Sequence, residues 1–235
     1  MKANESKVIG ITDFKIDRQM LLQSARIDAE DELSEELLAF ANSAEKIAHP
    51  KAVFSKSVVT FDDAKKCVTK IGNEAVSCPL MDDQLQEVEF VYPYVATCGR
   101  ELDEMDTQGD PLAVFWLECI QLQALAAVQK RVLEIVGEQL CTEEKRVSHL
   151  NPGSLPIWPI SEQTTLFKLV EDPLKTIGVR LSDSFLMFPI KSVSGILFCG
   201  KEHYENCSYC SRQSCPNRRA TFVGSPYGKV ECDKQ

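Results

Sequence analysis

HLNPGSLPIWPISEQTTLFKLV (149–170), SDSFLMFPIKSVSGILFCGK (182–201) and CSYCSRQSCPNRRA (207–220) lie in one run, His149 to Ala220. No other part of the chain is so dense in residues whose presence needs a specific reason. Pro152, Pro156 and Pro159 fix the backbone around Gly153, and Gly153 itself accepts positive φ or the close approach of a ligand. Such a loop presents main-chain N–H and C=O groups in one set arrangement. That suits recognition of a small polar molecule, and it equally suits a rigid connector between two elements. Ser161 is placed to cap a short helix that buries Leu166, Phe167, Leu169 and Val170. Asp172-Pro173 restarts a helical turn, which Gly178 closes in the left-handed conformation. Two short strands follow, Ser184 to Phe188 and Ser192 to Phe198, read as a hairpin through Pro189-Ile190-Lys191. Ser192, Ser194 and Gly195 are small residues in an otherwise bulky strand, leaving room for a ligand or a packed helix.

Upstream, Thr12 to Arg26 reads as a helix with Thr12 as N-cap and Phe14, Ile16, Met20 and Leu21 on its apolar side. A second helix covers Asp28 to Ile47, where Leu33, Leu37, Leu38, Phe40, Ala41 and Ala44 recur near the 3.6 period on an acidic, solvated background. His49-Pro50 ends it, because the residue before a proline is pushed out of the α region. Ala52 to Phe61 alternates as a strand, and Asp62 to Thr69 reads as a shorter helix or turn. Val88 to Thr97 is a second strong strand, which Pro93 assigns to a bend or an edge. Gly99 to Gly109 opens as an acidic helix. Asp110-Pro111 then starts the longest helix, running to about Leu140, with Asp as N-cap and Pro at the first helical position. That helix is apolar on most sides, as expected of one packed on a sheet, and it carries no catalytic pattern.

With 235 residues, 44% of them hydrophobic, the chain can bury a real core. A formal charge of -9 argues against a broad phosphate-binding face, so nucleic acid is not an expected partner. The most apolar window, Leu112 to Val136, is broken by Glu118, Gln121, Gln123, Gln129, Lys130 and Arg131, so it reads as a buried helix and not a membrane span. The first residues show no basic stretch followed by an apolar one, which points to the cytoplasm. With no repeat, low-complexity tract or linker, the expected architecture is a single mixed α/β (α+β) domain over residues 1–198, followed by a cysteine-bearing segment, 199–235.

The order PG, WPISEQ with LFKLV, IGVRLSDSFLMFP, then KSVSGILF resembles the activation domain of cobalamin-dependent methionine synthase. It resembles more closely the short stand-alone proteins related to that domain, which add a C-terminal cysteine cluster. The resemblance is carried by about Pro152 to Phe198. It implies a C-shaped α/β domain, a twisted mixed or antiparallel sheet flanked by helices, that holds S-adenosylmethionine and closes over a corrinoid-bearing partner. There, inert cob(II)alamin is reduced to cob(I)alamin and trapped by methylation. On this basis His149, Pro152, Gly153, Ser154, Ser192, Ser194 and Gly195 are the candidate cofactor-binding residues. The family's Arg-x-x-x-Gly-Tyr grip falls on His149, Gly153 and Ser154, and only the glycine is present. An imidazole replaces a guanidinium that can meet a carboxylate bidentately, and a hydroxymethyl group replaces the tyrosine ring.

The chain has ten cysteines. Cys67, Cys78, Cys98, Cys119 and Cys141 are scattered and read as small buried hydrophobes. Cys207-x2-Cys210-x4-Cys215 is different, because three thiols share one short polar loop, with Cys199 just upstream as a candidate fourth ligand. Four thiolates suit a tetrahedral zinc or an iron–sulfur cluster, and Pro216 after Cys215 tilts the reading toward iron–sulfur. Redox-active free thiols are the rival reading, His203 is an alternative fourth ligand, and Cys232 reads as free. Arg218 and Arg219 offset a thiolate site, meet an acidic partner, or form a solvated basic turn.

These readings converge on an accessory protein for reductive activation of a corrinoid methyltransferase, without catalytic residues of its own. The alternative is a non-redox module with a structural zinc that docks on a corrinoid protein. An independent S-adenosylmethionine methyltransferase finds no support, since no G-x-G-x-x-G-like fingerprint follows a strand.

Overall fold

The structure is a computed structural model describing residues 1, 5–61, 67–140, 146–200, 202–212, 214–215 and 218–224. The chain runs through β1 (Ser6–Gly10), α1 (Arg18–Ala25), α2 (Glu32–Ile47), β2 (Lys51–Ser55), β3 (Ser57–Phe61), β4 (Val68–Ile71) and β5 (Glu74–Ser77). It continues with α3 (Pro79–Gln84), β6 (Phe90–Thr97), α4 (Arg100–Asp103), α5 (Pro111–Leu140) and β7 (Ser148–Leu150). The last elements are α6 (Gln163–Leu169), α7 (Pro173–Ile177), β8 (Arg180–Leu181), β9 (Met187–Phe188) and β10 (Ser192–Phe198).

β6 is the hub of the sheet. One edge pairs antiparallel with β10, which in turn pairs with β7, and the other edge pairs with β2 and then β3. β1 extends the sheet beyond β2, and β4 and β5 extend it beyond β3. The register against β6 continues unbroken from Phe54 opposite Tyr94 to Ser57 opposite Val91. Ala52 to Phe61 is therefore one extended stretch, interrupted at Lys56. The cause is Pro93. Val59 N–H donates to Glu89 O at 2.9 Å, and the alternation of an antiparallel ladder then turns Pro93 toward the β2/β3 edge, where it has no N–H to give. Pro93 thus lies in the central strand, not at an edge as its sequence reads, and it marks where β2 hands over to β3.

Strand alternation sorts the core into layers. Ala52, Phe54, Tyr92, Tyr94 and Ala96 face α5, meeting Leu125, Val128, Val132 and Val136. Val53 and Val95 face the opposite side and meet Val170, Ile177 and Val179. The first half of α5 packs through Trp116, Leu117 and Ile120 on α1 and α2. By length and composition α5 passes for a membrane-crossing helix, but half of its most apolar window is buried inside the protein. Its polar side chains tie neighbours in place: Gln123 holds both backbone groups of Asp17, and buried Gln121 donates to Leu102 O at 3.3 Å.

Several boundaries differ from the sequence reading. α1 starts after Asp17, whose carboxylate accepts from Met20 N–H at 2.9 Å, and not at Thr12. Phe14 and Ile16 are buried in the lead-in instead. The acidic helix after Gly99 is the single turn α4, and the left-handed residues Gln108 and Gly109 precede α5. Residues 62–66 of the expected helix lie outside the described residues, and Val68 and Thr69 already belong to β4. No side chain caps the turn at Ser161. The expected hairpin is absent: β9 pairs with β8, and β10 pairs with β6 and β7, with a cis Phe188–Pro189 bond between them.

Ile120 is fully buried, whereas Leu122, two residues on, is 54% exposed. Urea unfolding is expected to show Ile120→Ala losing about 2–5 kcal/mol and Leu122→Ala within about 0.5 kcal/mol of the parent. Equal losses would contradict the packing of α5 through Ile120 on α1 and α2.

Candidate ligand-binding site

β7 runs along β10 so closely that only glycine fits beneath it. A Cβ on Gly195 would lie 2.5 Å from Leu150 O and 2.6 Å from Asn151 Nδ2. Asn151 exploits that proximity. Its Nδ2 donates to Ser194 O at 2.9 Å and to Tyr94 Oη at 3.3 Å, and its Oδ1 accepts from Asn206 Nδ2 at 3.1 Å. The proline loop then folds back on itself, with Gly153 N–H donating to Trp158 O at 2.8 Å. Gly153 holds φ +79°, and a Cβ there would meet Ile160 Cδ1 at 2.8 Å, so both its dihedral and its packing require glycine.

Between this loop and β10 lies an open groove of about 390 Å³. His149, Pro152, Ser154, Ser192 and Ser194 all line it. Gly153 and Gly195, the other two residues singled out from sequence, do not line it: Gly153 is exposed on the loop and Gly195 is buried beneath β7. Ser192 Oγ is already engaged, 2.6 Å from Pro189 O and 2.9 Å from Thr97 Oγ1, so it shapes the wall. Four further polar or charged residues line it without having been expected there, Gln129 of α5, Asn151, Gln163 of α6 and Arg219, beside the apolar Ile160, Met187 and Val193. Gln163 is 4% exposed, and its Oε1 has no hydrogen-bond partner among the described residues. A second, more apolar compartment of about 210 Å³ is lined by Tyr94, Ala126, Val132, Leu133 and Leu197 and shares Gln129, His149 and Arg219 with the first. Burial, reinforced by the Arg219 charge, holds the His149 imidazole below its ordinary value, so it is neutral at pH 7. Burial also raises the Tyr94 phenol, so its hydroxyl remains a hydrogen-bonding group.

The cysteine-bearing segment is packed onto the same region. Tyr204 N–H donates to Ser148 Oγ at 2.8 Å, its hydroxyl donates to Asn206 Oδ1 at 2.9 Å, and its ring stacks on Tyr209 with centroids 5.4 Å apart. Arg218 clamps the loop: its Nη1 donates to Cys207 O and Ala220 O, and its Nη2 to Cys210 O and Arg212 O, all within 2.6–2.9 Å. Cys207, Cys210 and Cys215 are free and partly exposed, whereas Cys199 is disulfide-bonded. Among the described residues no three His, Cys, Asp or Glu side chains converge to hold a metal ion. The zinc or iron–sulfur centre that their spacing suggests is thus not formed among the described residues. Cys67, Cys78, Cys98 and Cys119 are buried as expected, and burial pushes the Cys78 thiol up to about 11 and Cys98 to about 12. Cys141, Pro216 and Cys232 lie outside the described residues.

Residues 137–215 match the family model described as vitamin B12 dependent methionine synthase, activation domain. That stretch is similar to the activation-domain family. The fold agrees over most of the chain: the crystal structure of the MetH reactivation domain bound to AdoHcy superposes with a TM-score of 0.61 at 16% identity, covering 87% of this chain and 81% of that one. No curated protein matches the chain. The activation-domain match takes in the proline loop, β10 and the three close cysteines, and it stops short of Arg218 and Arg219.

Two outcomes test this geometry. Gly195→Ala drives a methyl group into Leu150 O and Asn151, so β7 separates from β10 at a cost of about 1–3 kcal/mol in urea unfolding. An unchanged midpoint would contradict the close approach. For His149 the lowered folded value means that the unfolded chain binds more protons below its ordinary value of 6.5. Stability therefore falls as pH drops from there toward the folded value and is unaffected above it. His149→Gln should flatten that part of the stability profile, and NMR titration of the imidazole should report a midpoint below the ordinary value.

Proposed function

We propose that the groove binds an S-adenosyl ligand and that the chain is an accessory module for reductive activation of a corrinoid-dependent methyltransferase in the cytoplasm. The carrying observation is the convergence of His149, Pro152, Ser154 and Ser194 with the unpartnered Gln163 acceptor on one groove of ligand size. The AdoHcy bound to the MetH reactivation domain supports the ligand class. Methyl supply is the chemistry that S-adenosylmethionine brings when bound. The chain's own residues bind and orient: Asn151 fixes the loop, Gln163 offers an acceptor, and the apolar second compartment excludes water. The corrinoid belongs to a partner protein or domain on which residues 1–198 dock, with 199–235 as an appended segment.

The electron-carrying role of the cysteines is a separable part of the proposal. Cys207, Cys210 and Cys215 would have to be drawn together from their present positions, with His203 or an outside group supplying what Cys199 does not. A non-redox docking module is the second reading. It is a module with a structural zinc that docks on a corrinoid protein, and it is favoured by the Arg218 clamp, which orders the cysteine loop through its backbone carbonyls.

Calorimetric titration with S-adenosylhomocysteine is expected to show saturable binding. Ser154→Trp, on the exposed wall of the groove, should abolish it while leaving the unfolding transition intact. A wild-type protein that binds no S-adenosyl compound ends the ligand reading. Metal analysis of anaerobically purified protein separates the two readings: iron whose absorbance bleaches with dithionite supports electron transfer, and stoichiometric zinc without iron removes it and leaves the docking module.

A further inference from the structure

We infer that Arg219, contributed by the C-terminal segment, reads the carboxylate of the ligand and that Gln163 reads an N–H donor at the other pole. This rests on the S-adenosyl reading of the groove and specifies how the ligand lies in it.

Arg219 lines both compartments, at the junction where Gln129 and His149 also meet them. Among the described residues it is the one charged side chain lining the larger compartment, because His149 is neutral there. A carboxylate in that compartment therefore has one cation to meet. The guanidinium is also held ready. Arg219 Nη2 donates to Glu205 Oε1 at 3.0 Å, and the Glu205 side chain is only 15% exposed, so the ion pair is backed by protein. One of five N–H groups is engaged in that bond, and among the described residues no other hydrogen bond of Arg219 is formed. The remaining donors are enough for a two-point grip on a carboxylate.

Arg218, next in the chain, is pinned by four backbone carbonyls, so its neighbour enters the groove on an ordered backbone. That lowers the entropy lost when a ligand is gripped. In the same groove the Gln163 Oε1 is a buried acceptor with no partner among the described residues, a costly state that an N–H on the ligand relieves. A nucleoside with an amino-acid tail carries both groups. The cysteine-bearing segment is thus a wall of the ligand site and not only an appendage beside it.

The test is calorimetric, with two probes that share the nucleoside: S-adenosylhomocysteine, which has the amino-acid carboxylate, and 5′-methylthioadenosine, which lacks it. Arg219→Gln should weaken S-adenosylhomocysteine binding by about 10- to 100-fold and leave 5′-methylthioadenosine unchanged. Gln163→Leu should weaken both. Arg219 is half-exposed, and an unaltered melting curve confirms that Arg219→Gln remains folded. If Arg219→Gln binds both probes like the parent, the carboxylate assignment is overturned while the S-adenosyl reading stands. If the wild type binds neither probe, that reading falls and this one with it.

Discussion

One amide, that of Asn151, joins three parts of the molecule that sequence order keeps far apart. It reaches β10 through Ser194 O, β6 through Tyr94 Oη and the C-terminal segment through Asn206. Each hydrogen bond adds only about 1 kcal/mol net, so Asn151 is not what keeps the chain folded. That work falls to the apolar layers on either side of β2, β6 and β10. Asn151 supplies position. In a partly buried network, loss of the amide would leave several donors and acceptors unpaired at once, which makes the arrangement sharply defined. The groove, its proline loop and the segment bearing Glu205 and Arg219 are placed relative to one another by this contact, and Gly195 makes the contact sterically possible.

The sheet beneath tolerates an unusual feature because of where it falls. A proline in a central strand forfeits a ladder bond. Here the loss coincides with the break at Lys56, where β2 ends and β3 begins, and the register still continues across the gap. β6 keeps its β10 edge intact, and that edge carries β7 and the groove. The defect is therefore confined to the side of the hub strand that has no part in the site.

Local signals were legible wherever one or two residues decide the outcome. Asp110-Pro111 opens α5 as read, with Asp110 Oδ1 accepting from Leu112 N–H at 3.0 Å. Asp172, Pro173 and Gly178 bound α7 as read, and His49-Pro50 follows the end of α2. Thr12 misled because Asp17 is an equally good cap, and burial of Phe14 and Ile16 against α5 decides between them. The hairpin misled because strand propensity carries no information about partners; β10 finds longer pairing on β6 than a two-residue β9 offers. In the site, the proline loop and the small residues of β10 could be read from their chemistry. Gln129 could not, since a glutamine on an apolar helix looks like a solvated position until the helix is docked. Arg219 was visible only as part of a basic turn, because its distance from the groove is set by the fold and not by the sequence.

Charge brings these levels together. The chain carries a formal charge of -9, which as a whole disfavours an anionic ligand. At physiological salt, fields between exposed charges fade within about 8 Å, so the groove responds to its own residues more than to the total. Within that range stand Arg219, its Glu205 partner and a neutral His149, and Lys130 lines the adjoining compartment. Such a setting disfavours a simple polyanion, which in the larger compartment would meet a single cation already paired with Glu205. A ligand that pairs a single carboxylate with N–H donors and an apolar body matches each local feature: the guanidinium, the unpartnered Gln163 oxygen, and the compartment lined by Val132, Leu133 and Leu197. The discrimination resides in the arrangement of these few groups, and the arrangement in turn follows from the segment that Arg218 and Asn151 hold against β7.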